Sequence, residues 1–377
     1  MISSIELTKI LIAKESITPN DGGCLSLIAD QLRAENFNIE YFNYGLVKNL
    51  FACYGDKGPL FVFVGHVDVV PTGPVTAWAN PPFIATEKDG FIYGRGSADM
   101  KSAVAAMVCA LIDFVKQCPS ANFRAALLLT SDEEGIATDG IQAVMKAFQQ
   151  RDIKIDYCLV GEPSSDQKFG DTIKIGRRGT LSGKLTLIGK QGHIAYPQLA
   201  DNPIHHAATA LNDLLQTEWD QGNQYFQPTA LQFSNIHAGT GANNVIPGQL
   251  QADFNFRFSP ETHTEKLQAQ FEAVLNKHQL NYTIDWHLGG LPFLTNGGVL
   301  LKATEQSISE VTGTKANLST HGGTSDGRFI APTGAEVVEF GVMNQTIHQI
   351  DECVNAEDIH SLTVIYTKIL EKIQEHT

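Results

Sequence analysis

Pro59-Leu-Phe-Val-Phe-Val-Gly65, running directly into His66-Val-Asp68, is the stretch on which the reading of the fold turns. It is apolar at odd and even positions alike, so both faces of the strand it predicts would be buried, as in the centre of a parallel sheet. Two later apolar runs behave the same way. Residues 123–130 end in Ser131-Asp-Glu-Glu134, and residues 157–160 end in Gly161-Glu-Pro163. Helical patterns over 3–14, 24–35, 100–118 and 139–151 alternate with these strands. The order predicts an α/β fold with a mixed, largely parallel sheet flanked by helices. Ligands bind beyond the carboxyl ends of strands in open sheets of this kind, so the three polar clusters are expected on one rim.

The pattern changes near Gly179. Strand 181–188, helix 203–219, strands 230–237 and 250–258, helix 263–279 and strand 281–286 follow one another. This βαββαβ order predicts an inserted ferredoxin-like α+β sandwich over residues 179–291. Helix 299–312, a Gly-rich segment at 322–329, strand 336–342 and helix 358–374 return to the first domain. That domain would therefore comprise residues 1–178 and 292–377.

Composition narrows the function classes. The 377 residues include 27 Lys+Arg and 41 Asp+Glu, a formal net charge of −14. Nucleic-acid binding wants a basic footprint and is excluded. The 43% apolar and 18% charged fractions are those of a chain that builds a globular core. Cys24, Cys53, Cys109, Cys118, Cys158 and Cys353 form no CxxC pair, so they read as reduced thiols of a cytoplasmic protein. Glu6 and Lys9 interrupt the first apolar stretch, which is an amphipathic helix and not a signal peptide. The longest uncharged helical run, 102–112, is too short to span a bilayer.

Several residues with metal-ligand chemistry fall on the expected rim. His66 and Asp68 are two apart and share a face wherever strand geometry persists. Asp99 lies in Gly94-Arg-Gly-Ser-Ala-Asp-Met-Lys101, a Gly-rich loop entering a helix. Glu133 and Glu134 are adjacent, so their side chains diverge and one can ligate a metal while the other faces substrate. Glu162 ends the third strand, and His348 lies in Asn344-Gln-Thr-Ile-His-Gln-Ile-Asp-Glu352. Each alone reads as an ordinary loop residue. Together they supply nitrogen and oxygen donors for two hard or borderline divalent cations.

The same residues carry a resemblance. Gly65-His-Val-Asp-Val-Val-Pro71, Gly94 to Lys101, Thr130-Ser-Asp-Glu-Glu-Gly135, Gly161-Glu-Pro163, Gly176-Arg-Arg-Gly179, Gly192-His-Ile-Ala-Tyr-Pro197, Gly323-Thr-Ser-Asp-Gly-Arg-Phe329 and Thr346-Ile-His348 occur in this order across nearly the whole chain. The chain resembles the di-zinc aminoacylase and carboxypeptidase superfamily. The GRRG, GTSDGRF and TIH segments point to its desuccinylase branch. The resemblance implies a zinc-exopeptidase-like fold and two Zn²⁺ per subunit, with Co²⁺ as a substitute. It implies that Asp99 bridges the ions, that His66 and Glu162 complete one site, and that Glu134 and His348 complete the other. Asp68 would hydrogen-bond the far nitrogen of His66. Glu133 would be the general base, and His193 would stabilise the oxyanion, reaching in from a partner subunit.

The implied reaction is hydrolysis of N-succinyl-LL-2,6-diaminopimelate to succinate and LL-2,6-diaminopimelate, in lysine and cell-wall precursor synthesis. An acetylornithine deacetylase-like deacylase, or a dipeptidase or carboxypeptidase, would share the same metal residues. Such a small anionic N-acyl amino acid needs local cations, and Arg178 and Arg257 are the candidates because guanidinium binds carboxylate bidentately. Thr324 and Ser325 would donate to the succinyl carboxylate, beside Gly323. Tyr196, Asn243, Asn244 and Asn344 are further substrate-binding candidates. One departure is His321, where the pattern has a small residue; it either crowds the acyl pocket or turns outward. A homodimer through the inserted domain is also implied.

Overall fold

The computed structural model describes residues 2–376. It contains two compact units. One comprises residues 1–176, 294–319 and 325–377, and the other residues 177–293 and 320–324.

The first unit is built on an eight-stranded sheet. Its strands are β1 (Asn38–Tyr44), β2 (Val47–Tyr54), β3 (Leu60–His66), β4 (Arg124–Thr130), β5 (Tyr157–Val160), β6 (Thr172–Lys174), β7 (Asn317–Ser319) and β8 (Glu336–Glu339). In space the order is β1-β2-β4-β3-β5-β8-β6-β7. The central pairings β4-β3, β3-β5 and β5-β8 are parallel. Every residue of β3 is buried, which accounts for its unbroken apolar character.

Helices cover both faces. Phe63 meets Tyr366 of helix Ala356–Glu375, with ring centroids 5.0 Å apart. Val64, one residue on, points to the opposite face. Leu128 pairs with Val64 and with Phe51, and Phe51 lies edge-on to Phe148 of helix Ile141–Gln150 at 5.0 Å. The sequence reading missed the antiparallel β1-β2 hairpin. Its outer strand is largely solvent-exposed, so Asn38–Tyr44 lacks the apolar run that marks the inner strands. The helix expected from residue 100 starts later, at Ser102–Gln117. Asp99 (φ −118°, ψ 96°) and Met100 are not helical, and the peptide between them is cis.

Two glycines set how closely this helix approaches the strand ends. A Cβ on Gly65 would lie 2.4 Å from Met100 Cε, and one on Gly161 would lie 2.3 Å from Met107 Cε. These glycines immediately precede His66 and Glu162, so the segment carrying Asp99 can pack against both strand ends.

The second unit is a four-stranded antiparallel sheet ordered Ala230–Ala238, Gln249–Phe258, Gly179–Ile188, Tyr282–Gly290. With helices Pro203–Gln216 and Thr264–Lys277 it forms a ferredoxin-like sandwich. Asn202 caps the first helix by accepting from the Ile204 amide, and Pro203 occupies the first turn, where no N–H is needed. The core is aromatic. Phe254 stacks on Phe271 at 4.4 Å, Trp286 packs edge-on to both, and Trp219 packs edge-on to Phe256.

Among the described residues, no helix is long and apolar enough to cross a membrane. All six cysteines are free thiols.

Phe271 is fully buried. Phe271→Ala should destabilise the second unit by about 3–5 kcal/mol, through lost burial and a residual cavity. Two of the three tryptophans, Trp219 and Trp286, lie in this unit. The loss is therefore expected as an early fluorescence transition in urea.

Candidate metal centre

The centre is assembled from strand ends and two loops of the first unit. His66 closes β3 and Glu162 lies two residues beyond β5. Asp99 comes from the stretch before helix Ser102–Gln117, Glu134 from the turn after β4, and His348 from the loop after β8. Asp99 lies between the two imidazoles. Its Oδ1 is 3.2 Å from His66 Nε2 and its Oδ2 is 3.3 Å from His348 Nε2. Each imidazole also faces a glutamate. His66 Nε2 is 3.7 Å from Glu162 Oε1, and His348 Nε2 is 2.9 Å from Glu134 Oε1. His66 is almost fully buried, whereas the His348 side chain is 49% exposed.

The His66 tautomer is set from behind. Its Nδ1 lies 2.8 Å from the Asp68 backbone carbonyl, which accepts its hydrogen and leaves Nε2 facing Asp99. The Asp68 carboxylate, expected to make this bond, stands 3.6 Å away. It accepts instead from the backbone amides of Glu133 (3.4 Å) and Glu134 (3.1 Å). Two amides aimed at one buried carboxylate hold it to the glutamate turn, and the carbonyl of the same residue takes over the imidazole.

The donor set fits divalent cations. Donor atoms of His66, Asp99 and Glu134 lie within 4.8 Å of one another, as do those of His66, Glu133 and Glu162. Imidazole nitrogen and carboxylate oxygen are the ligands that borderline cations such as zinc take. Glu133 lies close enough to be a donor as well as a base. Arg328, which the sequence reading left without a role, approaches it to 3.9 Å and stacks over Phe329.

The protonation balance shows the strain of gathering these carboxylates. Burial pushes Glu133 up to about 8; His66 opposes this, and Asp326 and Glu134 add to it. Burial also raises Glu162, reinforced by Asp99 and Glu133. Burial works against charge on Asp99 too, but the hydrogen bonds from His348 and His66 hold its carboxyl below the ordinary range. Asp326 is raised to about 6, chiefly by burial.

The other candidates fall into separate groups. In the second unit, Gly192–His193 pairs with Val245–Ile246, and the Ile194 amide donates to the Asn244 carbonyl at 3.1 Å. His193, Tyr196, Asn243 and Asn244 therefore lie together, all exposed, with the His193 and Tyr196 rings 5.7 Å apart. Arg178 is half-buried, and its buried Nε has no hydrogen-bond partner. Arg257 is half-buried in its strand opposite Thr180. Gly323 is exposed and Thr324 half-buried.

Arg177, passed over in favour of its neighbour, donates to the carbonyls of His321 (3.1 Å) and Gly323 (3.5 Å) and so shapes this segment. His321 itself is exposed. Ser325 departs from its expected role. It is fully buried and its hydroxyl donates to Glu339, so its proton is used inside the first unit. Asn344 is half-buried, and its amide donates to the Ser165 carbonyl at 3.0 Å.

Taken together, the sheet and the carboxylate-imidazole rim define a metal-dependent hydrolase. The chain belongs to Peptidase family M20/M25/M40, whose model matches residues 62–372. It is 54% identical over 372 residues to succinyl-diaminopimelate desuccinylase of Hydrogenovibrio crunogenus, covering 98% of both chains. It is 51% identical over 373 residues to the enzyme of the same name from Alkalilimnicola ehrlichii, covering 99% of this chain and 100% of that one. Its fold matches an M20 family metallo-carboxypeptidase of Sulfolobus solfataricus with a TM-score of 0.83, at 18% identity and full coverage of both chains.

The His348 contacts predict a pH effect in protein stripped of cations by a chelator. Hydrogen bonds with Asp99 and Glu134 raise the imidazole from its ordinary 6.5 to about 10. The stabilisation is complete below about pH 6.5 and disappears as pH rises towards 10. Melting temperature should therefore fall across that window, and fall less in His348→Gln. A variant with the same slope as the parent would refute the assignment.

Proposed function

We propose that the chain is a metal-dependent amide hydrolase that converts N-succinyl-LL-2,6-diaminopimelate to succinate and LL-2,6-diaminopimelate. The observation that carries this reading is 51–54% identity, over nearly the full length, to relatives named for that activity. The rim geometry supports it, since the candidate metal-binding residues and Glu133 all lie in the first unit.

His66, Asp99 and Glu162 would hold one Zn²⁺, and Asp99, Glu134 and His348 the second, with Co²⁺ as a working substitute. Asp99 is suited to bridging because each of its oxygens already faces a different imidazole. Bound cations supply Lewis acidity, lowering the pKa of water towards neutrality and polarising the amide carbonyl. Glu133 then takes the proton of the attacking water and delivers it to the leaving amine nitrogen. Asp68 holds the Glu133–Glu134 turn in place through its two amide contacts. His193 is the proposed donor to the oxyanion. Arg178 and Arg257 are proposed to bind substrate carboxylates, with Tyr196, Asn243, Asn244, Gly323, Thr324 and Asn344 as polar contacts.

The enzyme would act in the cytoplasm, in keeping with its six free thiols. It would be a homodimer through the inserted unit, whose strand Ala230–Ala238 is paired on one side only and exposes Ile236. A zinc-loaded substrate panel tests the reaction. Succinate release from the succinyl substrate is expected, and turnover of acetylornithine or a dipeptide in its place would overturn the reading. Glu133→Ala should keep its metal and lose about 10²–10⁴ in kcat. If it loses metal instead, Glu133 is a ligand.

A further inference from the structure

Of the five proposed metal-facing residues, His66, Glu134 and Glu162 end or closely follow sheet strands, and Asp99 and His348 do not. Asp99 lies in a non-helical stretch, and His348 has φ 61°, a left-handed conformation rare outside glycine. Both are loop-borne, yet their side chains must meet within 3.3 Å. One buried carboxylate lies behind both loops. Glu352 is 0% exposed. Its Oε1 accepts from the amides of Ala98 (2.9 Å) and Asp99 (3.0 Å), and its Oε2 from the Gly96 amide (3.0 Å) and Arg95 Nη1 (2.8 Å). Its own carbonyl accepts from the Gly94 amide at 2.9 Å.

Arg95, 2% exposed, extends the connection. It donates to the Gln349 carbonyl at 3.0 Å and to the Pro71 carbonyl at 3.4 Å, and its guanidinium lies over the Trp78 ring. The pair thus joins the segment after His66, the segment before Asp99 and the segment after His348. A buried ion pair is weak evidence for stability, because desolvation opposes it. Here its hydrogen bonds go to the backbone of the loops that present ligands.

We propose that Arg95 and Glu352 are positioning residues that set the spacing of Asp99 and His348, and so govern the cation held by Asp99, Glu134 and His348 in preference to the one held by His66, Asp99 and Glu162. The inference rests on the two-cation reading given above. Neither residue touches a cation; both act through backbone amides and carbonyls. His66 is held by its sheet pairing to Thr130 and Glu162 follows β5 by two residues, and neither donates a hydrogen bond to the pair or accepts one from it.

The test titrates the full, chelator-stripped chain with Co²⁺ alone, following calorimetry and the visible spectrum. In Glu352→Gln, one binding step should weaken by about 10- to 100-fold, the range for removing a group that orients ligands, while the other stays within about threefold. In a His348→Ala background, Glu352→Gln should have no further effect, because the position it governs is already lost. Arg95→Lys keeps the charge but not the fork and should show the same selectivity with a smaller loss. Hydrogen exchange of residues 94–101 in the stripped protein should quicken in both variants.

Equal weakening of both steps, or parental binding in folded variants, would overturn the inference. So would failure of both variants to fold, since the pair would then be a folding element. A parent chain that binds fewer than two ions would overturn the two-cation reading instead. The exchange of residues 94–101 would still decide the inference, and unchanged rates would refute it.

Discussion

One carboxylate facing two imidazoles is the constraint around which the first unit is arranged. Asp99 must present an oxygen to His66 and another to His348, from a backbone that is neither strand nor helix. The parallel sheet solves the easier half of this, because β3 and β5 end side by side and deliver His66 and Glu162 in register. Glycines ahead of those two residues let the segment carrying Asp99 pack close beneath them. The harder half, bringing a loop histidine to the same carboxylate, falls to the contacts behind the loops.

The electrostatics follow from that convergence. Asp68, Asp99, Glu133, Glu134 and Glu162 are five of the chain's 41 acids, gathered where water is largely excluded. Burial drives Glu133 and Glu162 towards their neutral forms, while two imidazoles keep Asp99 ionised. One guanidinium, Arg328, approaches the set, 3.9 Å from Glu133. Divalent cations would complete the balance, and part of the chain's acidity would then be a cage for them.

Much of this was legible in the sequence, for a physical reason. Strands buried on both faces must be apolar throughout, so β3, β4 and β5 announce themselves, and the polar residues that end them stand out. The inserted sandwich was legible through its alternating strands, such as Gln249–Phe258, whose residues are buried at every second position. The β1-β2 hairpin was not, because an exposed outer strand carries little apolar signal. Partner choice was also hidden. Nothing in the chain's order says that Asp68 would take two amides and leave the imidazole to its own carbonyl. Nor does it say that Ser325 would turn inward to Glu339, or that Arg177 would reach the His321 and Gly323 carbonyls. Such choices depend on which groups meet once the strands are in register.

The interrupted path of the first unit bears on how the chain is made. β5 acquires its second neighbour, β8, only after the whole of Arg177–Phe293 has intervened, and His348 comes later still. During synthesis the inserted unit is contiguous apart from residues 320–324 and can fold while β5 still presents an open, apolar edge. That edge is the part of the nascent chain most exposed to mispairing with other strands. The proposed ligand set is also incomplete until the chain beyond the last strand of the sheet, which carries His348, has docked. A ribosome-bound fragment ending before residue 336 would therefore carry all five carboxylates without the histidine that lets Asp99 face two imidazoles, and the proposed hydrolysis would become possible only once the sheet has closed.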